Sequence, residues 1–336
     1  MNANISHPHR QLGRSGPKVF PLALGCMGMS GMYGASEERE SIATIHAALD
    51  AGIDLLDTGD FYGMGHNEML IRRALRELGS GARDRVLLSV KFGALRGPDG
   101  NWNGYDARPI AVKNFLAYTL KRLAVDHIDI YRPARLDPNV PIEDTIGAIG
   151  ELVQGGYVRA VGLSELGAQN IRRAASVHPI TDLQIEYAII SRKPEEQIFP
   201  VLEELGIAVT AYGVLSRGLL SGSQPSGSND LRAHLPRFTG ENYRRNQRLI
   251  AGLQQIAREK DASATQIAIA WVLAKKPYIL PLIGARTRKQ LDESLAALRV
   301  QLAPQDVARI EAEVPASEIA GTRYGEALMI HLDSEK

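Results

Sequence analysis

The 336-residue chain predicts a (β/α)8 TIM barrel of the α/β class, with an N-terminal β-hairpin and extra C-terminal helices. Three observations carry that prediction. Strand-like apolar runs alternate eight times with helix-period segments, the pattern of a parallel sheet closed by crossover helices. No Gly-x-Gly-x-x-Gly joins a strand to a helix, so the fingerprint of a doubly wound dinucleotide-binding sheet is missing. Asp57, Tyr62 and Lys91 fall at or just past the ends of two successive strands, where an α/β barrel gathers its chemistry.

The elements follow in order. Arg10–Phe20, with the turn Ser15-Gly16-Pro17, reads as a hairpin closing the barrel floor. Strands are expected at 22–25, 53–57, 86–91, 128–132, 157–163, 182–186, 207–212 and 278–283. The helix after the first strand starts at Ser36 with Glu37, Glu38 and Glu40, acids that suit a helix N-terminus, and Gly52 ends it. Helices follow at 67–78, 109–123 with Pro109 in the first turn, 142–154 stopped by Gly155-Gly156, 168–177 and 195–205. A long loop, 213–241, precedes helices at 242–260 and 263–275, the second opened by the capping box Ser263-x-x-Gln266. Thr287-x-x-Gln290 opens a helix at 287–298, and a further helix spans 303–314. Residues 1–336 read as one barrel domain, without internal repeats or low-complexity tracts.

Composition sets the function class. Lys plus Arg (39) nearly cancels Asp plus Glu (38), so overall charge calls for neither nucleic acid nor an anionic membrane. Met1–Arg10 lacks the apolar run of a signal peptide, and nothing approaches the roughly 20 apolar residues of a membrane span. Cys26 is the single cysteine, which fits a reducing cytoplasm. The expectation is a cytoplasmic protein handling a small molecule, its oligomeric state not legible.

A phenol is a weak acid at neutral pH, but a nearby ammonium stabilises phenolate and lowers its pKa. Asp57 beside Lys91 would keep that ammonium charged and oriented. Together the three residues read as an activated proton donor for a carbonyl oxygen that receives hydride at its carbon. Singly they have plainer readings: a turn carboxylate, a packing aromatic, a solvated lysine. A lysine-dependent aldolase would need Lys91 unprotonated, a role poorly served beside Asp57.

Arg10-Gln-Leu-Gly-Arg-Ser-Gly, Leu24-Gly-Cys-Met-Gly-Met, Asp57-Thr-Gly-Asp-Phe-Tyr-Gly, Gly65-His-Asn-Glu, Ser89-Val-Lys-Phe-Gly, Ile128-Asp-Ile-Tyr, Gly162-Leu-Ser-Glu, Ala211-Tyr-Gly-Val-Leu-Ser-Arg-Gly and Ile283-Gly-Ala-Arg run in this order along nearly the whole chain. In that order they resemble the aldo-keto reductase superfamily, in its bacterial branch of NADPH-dependent aldehyde and ketone reductases. The resemblance implies Tyr62 as general acid, Lys91 lowering its pKa and Asp57 pairing with Lys91. It places Ser164 and Gln184 on the nicotinamide carboxamide and Tyr212 against the nicotinamide face. Glu165 stands where the family often has Asn, and is left without a role. Leu215, Ser216, Arg217 and Gly218 form a small, amide-exposing turn suited to a pyrophosphate. Gly284, Arg286, Gln290 and Ser294 lie at the last strand-to-helix junction, where a helix start and a guanidinium make a phosphate site and favour NADPH over NADH.

One departure bears on turnover. Such reductases usually carry Tyr-x-x-His-Arg-x-Asp after the fourth strand, whereas this chain has Tyr131-Arg-Pro-Ala-Arg-Leu-Asp137. Ala134 takes the histidine's place, and loss of such a donor costs on the order of 10²–10³ in rate. The smaller side chain leaves room for water, a bulkier substrate, or a guanidinium from Arg132 or Arg135. Met29, Phe92, Arg132, Ala134 and Arg135 are the candidate substrate contacts, with Met32, Tyr33, Phe61, Trp102 and Tyr105 in neighbouring loops. The tail Thr322-Arg-Tyr324 either folds over the cleft or caps a terminal helix. An NADPH-binding sensor with little turnover is the alternative to the reductase.

Overall fold

The computed structural model describes residues 8–225, 227 and 230–336. Eight parallel strands close into a barrel: Ala23–Gly25, Leu55–Gly59, Leu87–Phe92, Ile128–Pro133, Val158–Ser164, Ile180–Glu186, Ala208–Tyr212 and Ile279–Gly284. The last pairs with the first through Leu282–Ala23, Ile283–Leu24 and Gly284–Gly25, so the sheet has no edge. Strands covered on both faces read as continuous burial rather than alternation, as in Leu55–Gly59 and Ile180–Glu186, where every residue is buried.

Register sets the height of each polar side chain. Asp57 is level with Ser89, Gly59 with Lys91, and Lys91 with Arg132. Ser89 and Lys91 are two apart and share the inward face, with Lys91 nearer the C-terminal mouth.

The expected hairpin is present as Arg10–Gln11 paired antiparallel with Lys18–Val19. Its turn needs glycine at 16, where a Cβ would stand 2.0 Å from the Leu12 carbonyl oxygen. Leu12 and Val19, both fully buried, pack with Leu55, Ile130, Ala208 and Leu280, so the hairpin plugs the barrel floor.

Local chemistry at the helix ends largely follows the sequence. Pro109 opens Pro109–Leu123, and Ser263 and Gln266 form a reciprocal capping box on Ala264–Lys275. One reading needs correction. The cap of Glu38–Asp50 is Glu37 rather than Ser36, its carboxylate accepting from the Arg39 and Glu40 amides at 2.9 and 2.7 Å. His66 opens the helix His66–Glu77. Residues 94–105 form a second hairpin, Ala94–Arg96 with Trp102–Tyr105. Beyond the barrel come Gly240–Glu259, Pro304–Glu313 and the short Glu326–Met329. No helix among the described residues is long and apolar enough to cross a membrane.

Candidate active site

A cavity of about 350 Å³ opens at the C-terminal mouth of the barrel. Asp57, Tyr62 and Lys91 all line it, as do Ser164, Gln184, Tyr212, Leu215, Arg217, Gly218, Gly284, Arg286, Gln290 and Ser294. Strand ends deliver the first group, the loop after the seventh strand and the last strand-to-helix junction the second.

Lys91 Nζ donates to Asp57 Oδ1 at 2.5 Å, an ion pair whose side chains are 5% and 3% exposed. The other Asp57 oxygen accepts from Ser89 Oγ at 2.9 Å and Gln184 Nε2 at 2.7 Å. Three donors from two strands therefore fix one carboxylate, and Gln184 keeps its amide oxygen and its second N–H for a ligand. Lys91 Nζ lies 5.1 Å from the centre of the Tyr62 ring.

The expected direction of the Tyr62 pKa is reversed here. Burial, then the charge of Asp57, raise it well above that of an ordinary phenol. Burial likewise lowers Lys91, and Asp57 offsets that only in part. With its charge turned toward Asp57, Lys91 acidifies the phenol less than a free ammonium would. The result is a hydroxyl that stays protonated at neutral pH, the state a proton donor requires.

Tyr212 is held by a residue set aside in the sequence reading. Its hydroxyl donates to Glu165 at 2.7 Å. Glu165, fully buried with a left-handed φ of 53°, also accepts from Arg323 at 3.0 and 2.8 Å, from the Glu186 amide and from Ser334. Burial opposes its charge, but Arg323, Arg135 and Ser334 outweigh this and hold the carboxyl well below the usual range. Arg323 belongs to the C-terminal tail, and its neighbour Tyr324 lines the cavity with Leu328 and Leu332. Of the two readings of the tail, folding over the cleft is the one observed. A lone charge at a strand end, Glu165, was the only sequence signal for this anchor. Arg232, whose guanidinium holds Asp230, Ser223 and the Arg217 and Gln224 carbonyls, gave none.

At the last strand-to-helix junction, Arg286 Nη1 donates to the Tyr33 and Ala35 carbonyls at 2.8 and 3.3 Å, and its amide to the Gln290 side chain at 2.9 Å. It makes no ion pair with Asp292 or Glu293, and its Nε and Nη2 take part in no hydrogen bond among the described residues. Thr287 caps the helix Arg288–Ala296 just behind. The turn at 215–218 is less open than expected, because the Ser216 and Gly218 amides already donate to Gly213 and Leu215 carbonyls. Ser216 itself is buried, off the cavity wall, with its hydroxyl lacking a hydrogen-bond partner. Arg217 pairs with Glu186 at 3.0 Å and lies 4.4 Å from the Tyr324 ring centre. These residues still fit a dinucleotide: one cavity holds the groups expected to read an amide, stack on a ring and meet phosphates, and one guanidinium edge there lacks partners among the described residues.

Four of the five expected substrate contacts lie elsewhere. Phe92, next to Lys91, faces the helix layer and stacks on Tyr131 at 4.3 Å, since adjacent strand residues point oppositely. Met29 is 1% exposed and packs in the outer core. Arg132 is fully buried inside the barrel, bonded to Asp182 at 2.9 Å and Ser89 at 3.0 Å. Ala134 is 1% exposed and packs with Phe61, Tyr62 and Ala94, off the cavity wall. Arg135 alone reaches the cavity. Trp102, at the tip of the second hairpin, also lines it, under Arg96 at 3.6 Å and edge-on to Phe61 at 5.6 Å.

Comparison with known proteins agrees with this geometry. The aldo/keto reductase family model matches residues 21–314. The chain belongs to that family. It is 39% identical over 322 residues to probable aldo-keto reductase 1 of Glycine max, covering 94% of this chain and 91% of the soybean protein. Among solved structures, the glycerol dehydrogenase AKR11B4 of Gluconobacter oxydans superposes with a TM-score of 0.81 at 28% identity, covering 92% of this chain and 96% of its own. Aldo-keto reductase AKR11C1 of Bacillus halodurans, in its holo form, gives 0.76 at 28% identity, covering 93% and 97%. This aldo/keto reductase is thus an oxidoreductase of a family that works with nicotinamide cofactors.

Proposed function

We propose that the protein is an NADPH-dependent reductase of aldehydes or ketones, from the bacterial branch of the family and working in the cytoplasm. The observation that carries the reading is the buried 2.5 Å Asp57–Lys91 pair facing the same cavity as Tyr62, Tyr212 and Arg286. Ser164 and Gln184 would hold the carboxamide of NADPH, Tyr212 its ring, and Leu215 to Gly218 its pyrophosphate. Gly284, Arg286, Gln290 and Ser294 would take the adenosine phosphate, the open guanidinium edge of Arg286 being suited to a 2′-phosphate. The cofactor supplies the hydride that turns the carbonyl carbon into an alcohol carbon.

The chain's own part is proton supply and orientation. The Tyr62 hydroxyl donates its proton to the substrate oxygen, which as an alkoxide is far more basic than a phenolate. The phenolate left behind is balanced by the Lys91 ammonium and recovers a proton from solvent. Asp57 keeps that ammonium charged against its burial. Phe61, Ala94 and Ala134 pack with the Tyr62 ring and hold it in place. Ala134 offers no hydrogen bond to the carbonyl, which also suits a second reading, an NADPH-binding sensor. Oxidation of NADPH across a panel of aldehydes and ketones separates the two. The reductase turns over at least one class and Tyr62→Phe stops it. Tight NADPH binding with no turnover on any carbonyl would leave the sensor.

A further inference from the structure

Arg135 is a cation in the substrate cavity with three of its five N–H donors unspent among the described residues. Its Nη1 donates to the Ala134 carbonyl at 2.6 Å and reaches Ser164 Oγ at 3.5 Å. Nε and Nη2 donate to nothing among the described residues, and no carboxylate there comes within ion-pair distance. Glu165 is near enough to favour the charge, yet its oxygens serve Arg323, Tyr212, Ser334 and the Glu186 amide. Tyr105, Tyr212 and Tyr324 also face the guanidinium. Burial disfavours its charge and these groups outweigh that, so it remains a cation.

The contrast with other buried arginines of the chain is informative. Arg132, Arg217, Arg232 and Arg323 each hold a carboxylate at 2.7–3.0 Å. Arg135 lines the cavity with none among the described residues, a state it shares with Arg286 at the last strand-to-helix junction. Its free edge, Nε with Nη2, is the side-on fork that meets both oxygens of a planar carboxylate. Phe61, Trp102 and Tyr105 supply apolar walls to the same space. We infer that Arg135 selects carbonyl substrates that carry a carboxylate, such as formyl or oxo acids with an apolar or aromatic body. This rests on the reductase reading and narrows its substrate class.

The test compares para-formylbenzoate with its methyl ester, two aldehydes of similar shape that differ in charge. A charge-assisted bond of this kind is worth roughly a 10- to 100-fold preference in kcat/KM for the acid. In Arg135→Met that preference should collapse to near unity, and Arg135→Lys should recover part of it, a point charge without the fork. Equal kcat/KM for acid and ester in the native enzyme overturns the inference, whether or not the variants fold. So does an equal loss for both in Arg135→Met. Turnover of the ester without acid preference sinks this inference alone and leaves the reductase intact. If neither aldehyde turns over, the carbonyl panel still decides the reductase reading, and calorimetric binding of para-formylbenzoate decides the anion site: affinity lost in Arg135→Met supports it, affinity unchanged refutes it.

Discussion

Replacing Asp57 by Asn tests the central pair by removing a charge while keeping the shape. The carboxylate is 2% exposed and accepts from Lys91, Ser89 and Gln184 at 2.5, 2.9 and 2.7 Å. Deleting one partner of a buried ion pair strands the other, at a cost of about 3–5 kcal/mol. For 336 residues, with unfolding entropy of about 2 cal/mol/K per residue, that is a fall in Tm of roughly 4–7 °C at pH 7. The direction with pH follows from Lys91. Burial already places its folded pKa below the ordinary lysine value, and Asp57 is what raises it again. Without Asp57 it drops further. Between that lowered pKa and the unfolded one the unfolded chain binds the extra proton, so stability rises with pH across the window. The Tm deficit of Asp57→Asn should therefore shrink on going from neutral to alkaline buffer. In activity, the alkaline limb of kcat/KM should move to lower pH, because the ammonium that balances the phenolate is lost sooner. Thermal unfolding and pH–rate profiles on native and variant read both effects. A variant of native Tm whose rate drops equally at every pH would refute the reasoning, leaving Asp57 as packing only.

Further substitutions probe the other groups. Tyr62→Phe should cut NADPH oxidation with a reactive aldehyde by on the order of 10²–10⁴ while the cofactor Kd, read by fluorescence titration, stays near native; unimpaired turnover would remove the proton-donor role. Arg286→Ala should weaken NADPH by roughly 10- to 100-fold and NADH far less, and an equal loss for both cofactors would remove the 2′-phosphate assignment. Ala134→His forces a ring between Phe61, Tyr62 and Ala94, and should destabilise by about 1–3 kcal/mol in urea titration, native stability being the contrary result.

The sequence exposed the barrel because two periodicities alternate along it, and the barrel rule then points to strand ends. Asp57 and Lys91 were legible for that reason, whereas Ser164, Gln184 and Tyr212 drew their roles from the family resemblance as well. Side-chain parity was legible too, and would have excluded Phe92: it follows inward-facing Lys91 and so must face the helices. Arg132 and Arg135 were not separable from sequence. Parity sends Arg132 inward, but whether an inward arginine reaches the mouth depends on what lies across the barrel. Asp182, 50 positions on, draws it down instead. The tail was out of reach for the same reason, since the partner of Arg323 is 158 residues away, just past the end of the fifth strand.

The barrel interior below the cavity is polar, and this bears on how rigidly the site is held. Ser89 stands between two charged pairs, donating to Asp57 at 2.9 Å and accepting from Arg132 at 3.0 Å. Arg132 meets Asp182, and Asp182 also accepts from Thr210 at 2.5 Å. A run of side chains from the second, third, fourth, sixth and seventh strands is thus linked from Lys91 to Thr210. Such a run suits an interior only when its members fit closely, since each unpaired group in a low dielectric is costly. Gly162 shows how close the fit is: a Cβ there would stand 2.8 Å from Asp182 Oδ1 and 3.0 Å from the Arg132 guanidinium carbon. The glycine of the fifth strand is needed for space, its place at the head of Gly162-Leu-Ser-Glu set by the arginine behind it. With Arg132 confined in this way, Ser89 has one remaining direction for its proton, toward Asp57. The position of the Lys91 ammonium, and of the phenol it balances, is fixed from beneath as well as from the side.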